Sequence, residues 1–175
     1  MAVPFERQPV LEGPLLRLRP LRQEDFTELY AAASDRLIWE QHPDERWRED
    51  VFQEFFSGAM KSGGALTAID RRDDRIVGTS RFDHYDAARS EIEIGWTFLA
   101  RSHWGGAFNG EMKRLMLRHA FQHVDRVVFV IYSTNVRSQR AVEKIGGTLI
   151  EKRPDQKRGG TSLVYAITAA RWLTQ

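Results

Sequence analysis

Residues Ser90 to Val124 read SEIEIGWTFLARSHWGGAFNGEMKRLMLRHAFQHV, and this stretch decides the fold. Its first nine residues alternate with period two between apolar and polar or small side chains, which predicts a strand over 90–98. The apolar set on one face is Ile92, Ile94, Trp96 and Phe98. From Asn109 onward the apolar spacing changes to three and four residues. This spacing predicts an amphipathic helix of about four turns with Glu111 on its solvent face.

The loop between this strand and helix runs from Leu99 to Phe108 and carries the pair Gly105 and Gly106. The first N–H groups of a helix have no partner inside the helix, and the helix dipole places partial positive charge there. Glycines let the backbone come close to a phosphate group. The loop is therefore a candidate anion site, although two glycines are equally compatible with a plain tight turn.

A second informative stretch, NVRSQRAVEKIGG, spans Asn135 to Gly147. It follows the apolar run from Val127 to Tyr132, which predicts a buried strand. Asparagine is a favoured helix cap, so Asn135 is expected to begin a short helix that Gly146 ends. The chain thus contains two successive strand–helix units that could meet at one site.

The remaining segments complete a sheet with helices on both faces. Strands are predicted over 15–21, 65–70, 75–82, 148–152 and 162–167, and helical apolar stripes over 26–33 and 44–62. Asp44 is the expected cap of the second stripe, and Gly63 its end. Residues 1–14 read as an irregular arm. The order β-α-α-β-β-β-α-β-α-β-β predicts one domain over 1–175, with an α+β fold and a mixed, mostly antiparallel central sheet.

The composition limits the class of function. A chain of 175 residues fits one domain with a sizeable core, and the absence of cysteine excludes disulfides, thiolate metal sites and a covalent cysteine intermediate. A net charge of only +2 gives no argument for a nucleic-acid partner. No apolar run reaches the ~18 residues of a membrane span, and no signal peptide is evident, so a cytoplasmic protein without membrane association is expected.

Together, the two stretches resemble the GNAT superfamily of N-acetyltransferases, and within it the RimJ/RimL-like branch of ribosomal-protein N-terminal acetyltransferases. The motifs that carry the resemblance are Glu93-Ile94-Gly95-Trp96, the segment 104–113 and the segment 135–147, and the similarity extends over about 15–167. The resemblance implies a GNAT-like α/β/α fold, acetyl-CoA as co-substrate and no metal. It further implies direct transfer of an acetyl group to a primary amine, on a small molecule or a protein N-terminus.

The resemblance also implies which residues hold acetyl-CoA. They are Trp96, Thr97, Phe98, Trp104, Gly105, Gly106, Ala107, Phe108, Asn109, Asn135 and Ser138. Backbone N–H groups over 104–109 would bind the pyrophosphate. The strand edge at 96–98 and the Asn135 side chain would bind the pantetheine arm.

Glu93 is the predicted general base. Glu91 and Glu93 share one strand face, and a carboxylate beside an apolar cleft has a raised pKa, although two solvated carboxylates are the alternative. The resemblance selects Glu93, because that residue lies in the Glu-Ile-Gly-aromatic motif. Ser138 and Tyr132 are the candidate proton donors, and either tyrosine near the expected cleft, Tyr132 or Tyr85, can instead be a packing residue.

Two departures from the family pattern affect these expectations. Ala107 and Asn109 stand where the pyrophosphate loop usually has glycine and glycine or alanine, and Asn109 could cap the helix. Val142 stands where many members have a tyrosine that acts as general acid. These departures leave a non-catalytic, regulatory acyl-CoA-binding module as the alternative function.

Three further features have open interpretations. His119 and His123 are four residues apart on a helix, but no third ligand is evident, so they are expected to be surface residues and not a metal pair. His103 could line the cofactor mouth or simply pack there. The aromatic segment 39–56 is core, a cover over the acceptor, or a surface patch for a homodimer, which the family resemblance suggests.

Overall fold

The computed structural model describes residues 4–174 and contains one eight-stranded sheet. The strands are β1 (Leu11–Glu12), β2 (Leu16–Pro20), β3 (Ala65–Asp70), β4 (Ile76–Asp86), β5 (Glu91–Leu99), β6 (Arg126–Tyr132), β7 (Thr148–Pro154) and β8 (Thr161–Thr168). Their order is β1-β2-β3-β4-β5-β6-β8-β7. Neighbours β5 and β6 are parallel, and the other neighbouring pairs are antiparallel. The predicted mixed, mostly antiparallel sheet of an α+β fold is confirmed.

Helices cover both faces of this sheet. They are α1 (Phe26–Ala33), α2 (Glu49–Ser62), α3 (Phe108–Ala120), α4 (Val136–Lys144) and α5 (Ala169–Trp172). Apolar residues of α1 and α2 form one core cluster, and those of α3 form a larger cluster on the opposite face, with Val142 of α4. Among the described residues, no helix has the length and apolar character that a bilayer crossing requires.

Strand β5 does not keep a single apolar face, and the prediction of one face was wrong. A bulge lies at Trp96, whose φ is +51°, and one extra residue of β5 shifts the register against β4. Ile92 and Ile94 therefore pack in the α3-side core, whereas Phe98 packs in the α1–α2-side core. Period-two alternation cannot reveal a bulge, because the alternation continues on both sides of it.

Several boundary predictions also change. The second helix begins at Glu49, and Asp44 does not cap it but pairs with Arg46 and Arg158. Gly63 ends that helix in the left-handed conformation, as predicted. The arm expected to be irregular contains the short strand β1, which pairs with β2 because the chain turns back at Gly13. Residues 1–3 of that arm lie outside the described residues.

The aromatic segment 39–56 is mainly core. Trp39, Phe52, Phe55 and Phe56 are all buried in the cluster of α1 and α2. The prediction that this segment offers an aromatic surface patch was therefore wrong.

Candidate active site

The strands β5 and β6 pair over only three positions and then separate. The parallel pairs are Glu91 with Arg126, Ile92 with Val127 and Glu93 with Val128. Both strands continue beyond these pairs, to Leu99 and Tyr132, with no further pair between them among the described residues. Backbone N–H and C=O groups on the facing edges of this gap are thus available to an extended ligand. We call this opening the β5–β6 gap.

The bulge at Trp96 lies on the β5 side of the β5–β6 gap. A non-glycine residue with positive φ is strained by about 1–3 kcal/mol, and such strain is concentrated at functional sites. Trp96 is held by the guanidinium of Arg81, whose central carbon lies 3.9 Å from the ring centre. The bulge interrupts the regular ladder between β5 and β4 at this position.

The loop that follows β5 presents an open helix N-terminus. Gly105 has φ of +71°, and residues 105–107 are exposed. A Cβ added at Gly105 or Gly106 would meet no atom within 4 Å, so the loop surrounds open space. Ala107 is the N-cap of α3 and provides no side-chain cap, which leaves the first N–H groups of the helix free for an anion. Asn109 lies inside the first turn, so its predicted role as cap was wrong.

Most basic side chains around this loop already have partners. The guanidinium of Arg137 stacks 4.2 Å from the ring centre of Trp104 and bonds Glu40 at 2.6 Å. Arg72 pairs with Asp70 at 2.6 Å, and Nε2 of His103 lies 2.9 Å from the same carboxylate. The interaction with Arg72 lowers the pKa of Asp70, opposed by burial. Arg137 and Arg72 are therefore already paired with carboxylates, and His103 packs against Phe108 at the start of α3.

The Asn135 side chain caps α4, as predicted. Its Oδ1 accepts a hydrogen bond of 3.2 Å from the backbone N–H of Ser138. The preceding backbone N–H, that of Arg137, donates to Oε1 of Gln41 at 2.9 Å. The start of α4 is therefore fixed at the end of β6, beside the β5–β6 gap.

Glu93 lies on the face of the sheet opposite α3, with only 8% of its surface exposed. Burial raises the pKa of its carboxyl group, and a hydrogen bond to His84 opposes that rise. The distance between Oε2 of Glu93 and Nδ1 of His84 is 2.5 Å. Glu93 lines a cleft of about 290 Å³ together with Val128 and Val130 of β6. A carboxylate with a raised pKa at the mouth of a cleft can accept a proton near neutral pH.

Sequence reasoning missed His84 as the partner of Glu93. The predicted strand ended at residue 82, whereas β4 continues to Asp86, and its register places Asp83 opposite Glu93 and His84 next to that pair. His84 has φ of +50°, and its side chain is 68% exposed. The exposed imidazole of His84 is therefore hydrogen-bonded to the buried carboxylate of Glu93.

The inner face of α3 carries two charged side chains that were not expected there. Glu111 is buried and accepts from the backbone N–H groups of Leu15, at 2.8 Å, and Leu16, at 2.6 Å. Its predicted place on the solvent face was therefore wrong. Lys113 is also buried, and its Nζ donates to Oγ1 of Thr97 at 2.7 Å.

Tyr132 is a predicted proton donor, and Val142 stands where many family members have a tyrosine that acts as general acid. The hydroxyl of Tyr132 donates to the carbonyl oxygen of Gly159 at 2.7 Å, so its proton is already used within the loop before β8. Val142 is buried in the α3-side core and carries no proton to donate. Tyr85 stacks on Phe5, far along β4 from the bulge.

His119 lies in α3 and His123 in the turn that follows it, and neither is an exposed surface residue. His119 is buried, and its Nε2 lies 2.7 Å from the carbonyl oxygen of Glu6. Phe5 packs against the rings of both His119 and His123, which also contact each other. The described part of the chain contains no group of three His, Cys, Asp or Glu side chains that could hold a metal ion.

The comparisons with known proteins agree with this fold. Residues 16–148 match the family model described as an acetyltransferase (GNAT) domain, and the chain belongs to this family of N-acetyltransferases. A comparison with curated proteins found no match.

Solved structures share the fold at low sequence identity. A GCN5-related N-acetyltransferase from Brucella melitensis is 21% identical with a TM-score of 0.85, over 97% of this chain and 83% of that one. RimJ of Mycobacterium smegmatis, in complex with CoA-disulfide, is 21% identical with a TM-score of 0.68, over 93% and 87%. Spermidine N-acetyltransferase from Vibrio cholerae, in complex with CoA and spermine, is 15% identical with a TM-score of 0.71, over 92% and 99%.

Proposed function

We propose that the protein transfers an acetyl group from acetyl-CoA directly to a primary amine, on a small molecule or a protein N-terminus. The observation that carries this proposal is the β5–β6 gap, which has the open N-terminus of α3 at one side and Glu93 at the other. The gap is suited to an extended arm, and the helix N-terminus to a phosphate. Relatives in complex with CoA support this choice of donor.

Different groups of this chain bind the pyrophosphate, the pantetheine arm and the thioester oxygen of acetyl-CoA. Backbone N–H groups over 104–109 hold the pyrophosphate, and the strand edge at 96–98 with the start of α4 at Asn135 and Ser138 holds the pantetheine. A backbone N–H near Thr97 stabilises the negative charge on the thioester oxygen as the amine attacks. Holding both substrates in one gap supplies a large part of the acceleration.

Glu93 accepts the proton that the attacking amine loses. Its carboxylate is buried, and the hydrogen bond from the exposed imidazole of His84 favours the ionised form that accepts this proton. Family membership favours an enzyme over the non-catalytic acyl-CoA-binding module. A cytoplasmic location and a homodimer stay predictions, and no face is assigned to the dimer contact.

A thiol-release assay tests the proposal. Purified protein is mixed with acetyl-CoA and, one at a time, a polyamine, an aminoglycoside and short peptides with free N-termini, and the CoA thiol is detected chromogenically. We expect amine-dependent release of CoA, with a mass increase of one acetyl group on the acceptor. If acetyl-CoA neither binds, as judged by calorimetry, nor raises the melting temperature at millimolar concentration, the proposed function is wrong.

A further inference from the structure

Lys113 lies where β5 and β6 have separated. Its Nζ is 2.7 Å from Oγ1 of Thr97 on β5 and 5.5 Å from the ring centre of Phe129 on β6. Both contacts lie beyond the last paired residues, Glu93 and Val128. The ammonium group of an α3 side chain therefore occupies the inner end of the β5–β6 gap, next to the bulge at Trp96.

No negative group balances this charge within the described residues. Lys113 forms no ion pair there, and of its three N–H donors only one has a protein acceptor. Glu111, on the same helix, is directed instead at the backbone of β2. A buried ammonium without a partner is costly, and a methionine would fill the same space at less cost. The ammonium of Lys113 is thus free to pair with a negative group of a bound substrate.

The proposed reaction develops a negative charge that such a group can stabilise. When the amine attacks the thioester, the C–S bond breaks and the sulfur leaves with the electron pair as a thiolate. Val142 has no proton, and the hydroxyl proton of Tyr132 is held by Gly159, so Ser138 is the remaining donor among those predicted from the sequence. We propose that Lys113 stabilises the departing CoA thiolate and protonates it. This inference rests on the proposed acetyl-CoA-dependent transfer.

The step balances in atoms and charge. The amine nitrogen forms a bond to the acetyl carbon and gives one proton to the carboxylate of Glu93. The sulfur takes one proton from the ammonium of Lys113, which leaves CoA with a free thiol and Lys113 as a neutral amine. Glu93 then releases its proton and Lys113 regains one from solvent. Burial lowers the pKa of Lys113 to about 7, with no contribution from a neighbouring charge, so the group can release a proton near neutral pH.

The thiol of bound CoA provides a readout that does not depend on turnover. A thiolate absorbs in the far ultraviolet, so the pKa of the bound thiol is measured by titrating CoA complexes of the wild type, Lys113→Met and the control Lys61→Met. Lys61 is an exposed lysine of α2. We expect the pKa of the thiol in the wild-type and Lys61→Met complexes to be at least one unit lower than in the Lys113→Met complex. An equal thiol pKa in all three complexes overturns the role of Lys113.

Kinetics supply a second test. Lys113→Met should lower kcat by roughly 10²–10⁴-fold with little change in KM for acetyl-CoA, and it should abolish the alkaline limb of the pH profile. Lys113→Arg keeps the charge but not a releasable proton, so its kcat should lie between those of the wild type and Lys113→Met. If CoA binds and the wild type transfers acetyl groups, but Lys113→Met keeps full kcat, only this inference fails. If CoA does not bind the wild type, the proposed function fails with it.

Discussion

The Nδ1 atom of His84 lies 2.5 Å from Oε2 of Glu93, and this contact joins an exposed imidazole to a buried carboxylate. Both residues are on neighbouring antiparallel strands, so the sheet fixes their distance. An ionised carboxylate only accepts hydrogen bonds, so the imidazole donates from Nδ1 and leaves Nε2 facing solvent. The hydrogen bond from His84 favours the ionised carboxylate, which is the form that can accept a proton in the cleft.

Replacing Glu93 by glutamine tests the base directly. Glutamine keeps the size and the hydrogen-bonding reach of the side chain but cannot accept the proton, so kcat should fall by roughly 10²–10⁴-fold at neutral pH, with little change in acetyl-CoA affinity. The acidic limb of the kcat profile should disappear as well. Glu54→Gln, on the exposed face of α2, is the control. Full activity of Glu93→Gln would assign the residue a structural role, and loss of acetyl-CoA binding would place it in the cofactor site.

Replacing His84 by alanine tests the hydrogen bond to Glu93. The hydrogen bond from His84 lowers the pKa of Glu93, against the rise caused by burial. Removing the imidazole should therefore raise the pKa of Glu93 further, and the acidic limb of the kcat profile should move to higher pH. The measurement is the midpoint of that limb from pH 5 to 9. A midpoint that stays in place, or moves to lower pH, contradicts the coupling.

Replacing Gly105 by valine tests the anion site at the start of α3. A side chain there would stand in the open space of the loop and obstruct the pyrophosphate, so acetyl-CoA should bind at least about tenfold more weakly. The variant also carries strain, because φ at this position is +71°. Gly159→Val is the matched control, since Gly159 has φ of +74° and equally open space around its Cβ. Equal acetyl-CoA affinity of the two variants, measured by calorimetry, would exclude the loop from the site.

The sequence was informative wherever local patterns and motifs determined the structure. The β5–loop–α3 unit and the cap at Asn135 follow from residue types at fixed spacing, whereas Glu93 was selected over Glu91 only by the family motif. The bulge at Trp96 could not be predicted, because it depends on the register with β4 and leaves the alternation of β5 unchanged. Its effect is large, since it moves Phe98 to the opposite core from Ile92 and Ile94.

The buried charges of α3 escaped sequence reasoning for a different reason. Glu111 lies on the inner face because two backbone N–H groups of residues almost a hundred positions earlier need an acceptor. Lys113 lies there because the strands opposite it have separated. Both causes are tertiary, and helical periodicity assigns charged residues to solvent by default.

The stability of Lys113→Met gives a final prediction that is independent of activity. The folded-state pKa of Lys113 is lowered from its ordinary 10.5 to about 7, so the charged form is disfavoured by folding. The penalty is complete below about pH 7 and declines as the pH rises towards 10.5, because the folded protein then holds a neutral amine.

Replacing the lysine by methionine removes this penalty, so the variant should unfold at higher denaturant concentration than the wild type. We expect a gain of roughly 3–5 kcal/mol in the free energy of unfolding at pH 6, shrinking as the pH approaches 10. Urea unfolding of both proteins at pH 6, 8 and 10 measures the difference, with Lys61→Met as control. A gain that is constant with pH would mean that Lys113 titrates normally, and a loss of stability at pH 6 would mean that its ammonium is satisfied within the protein.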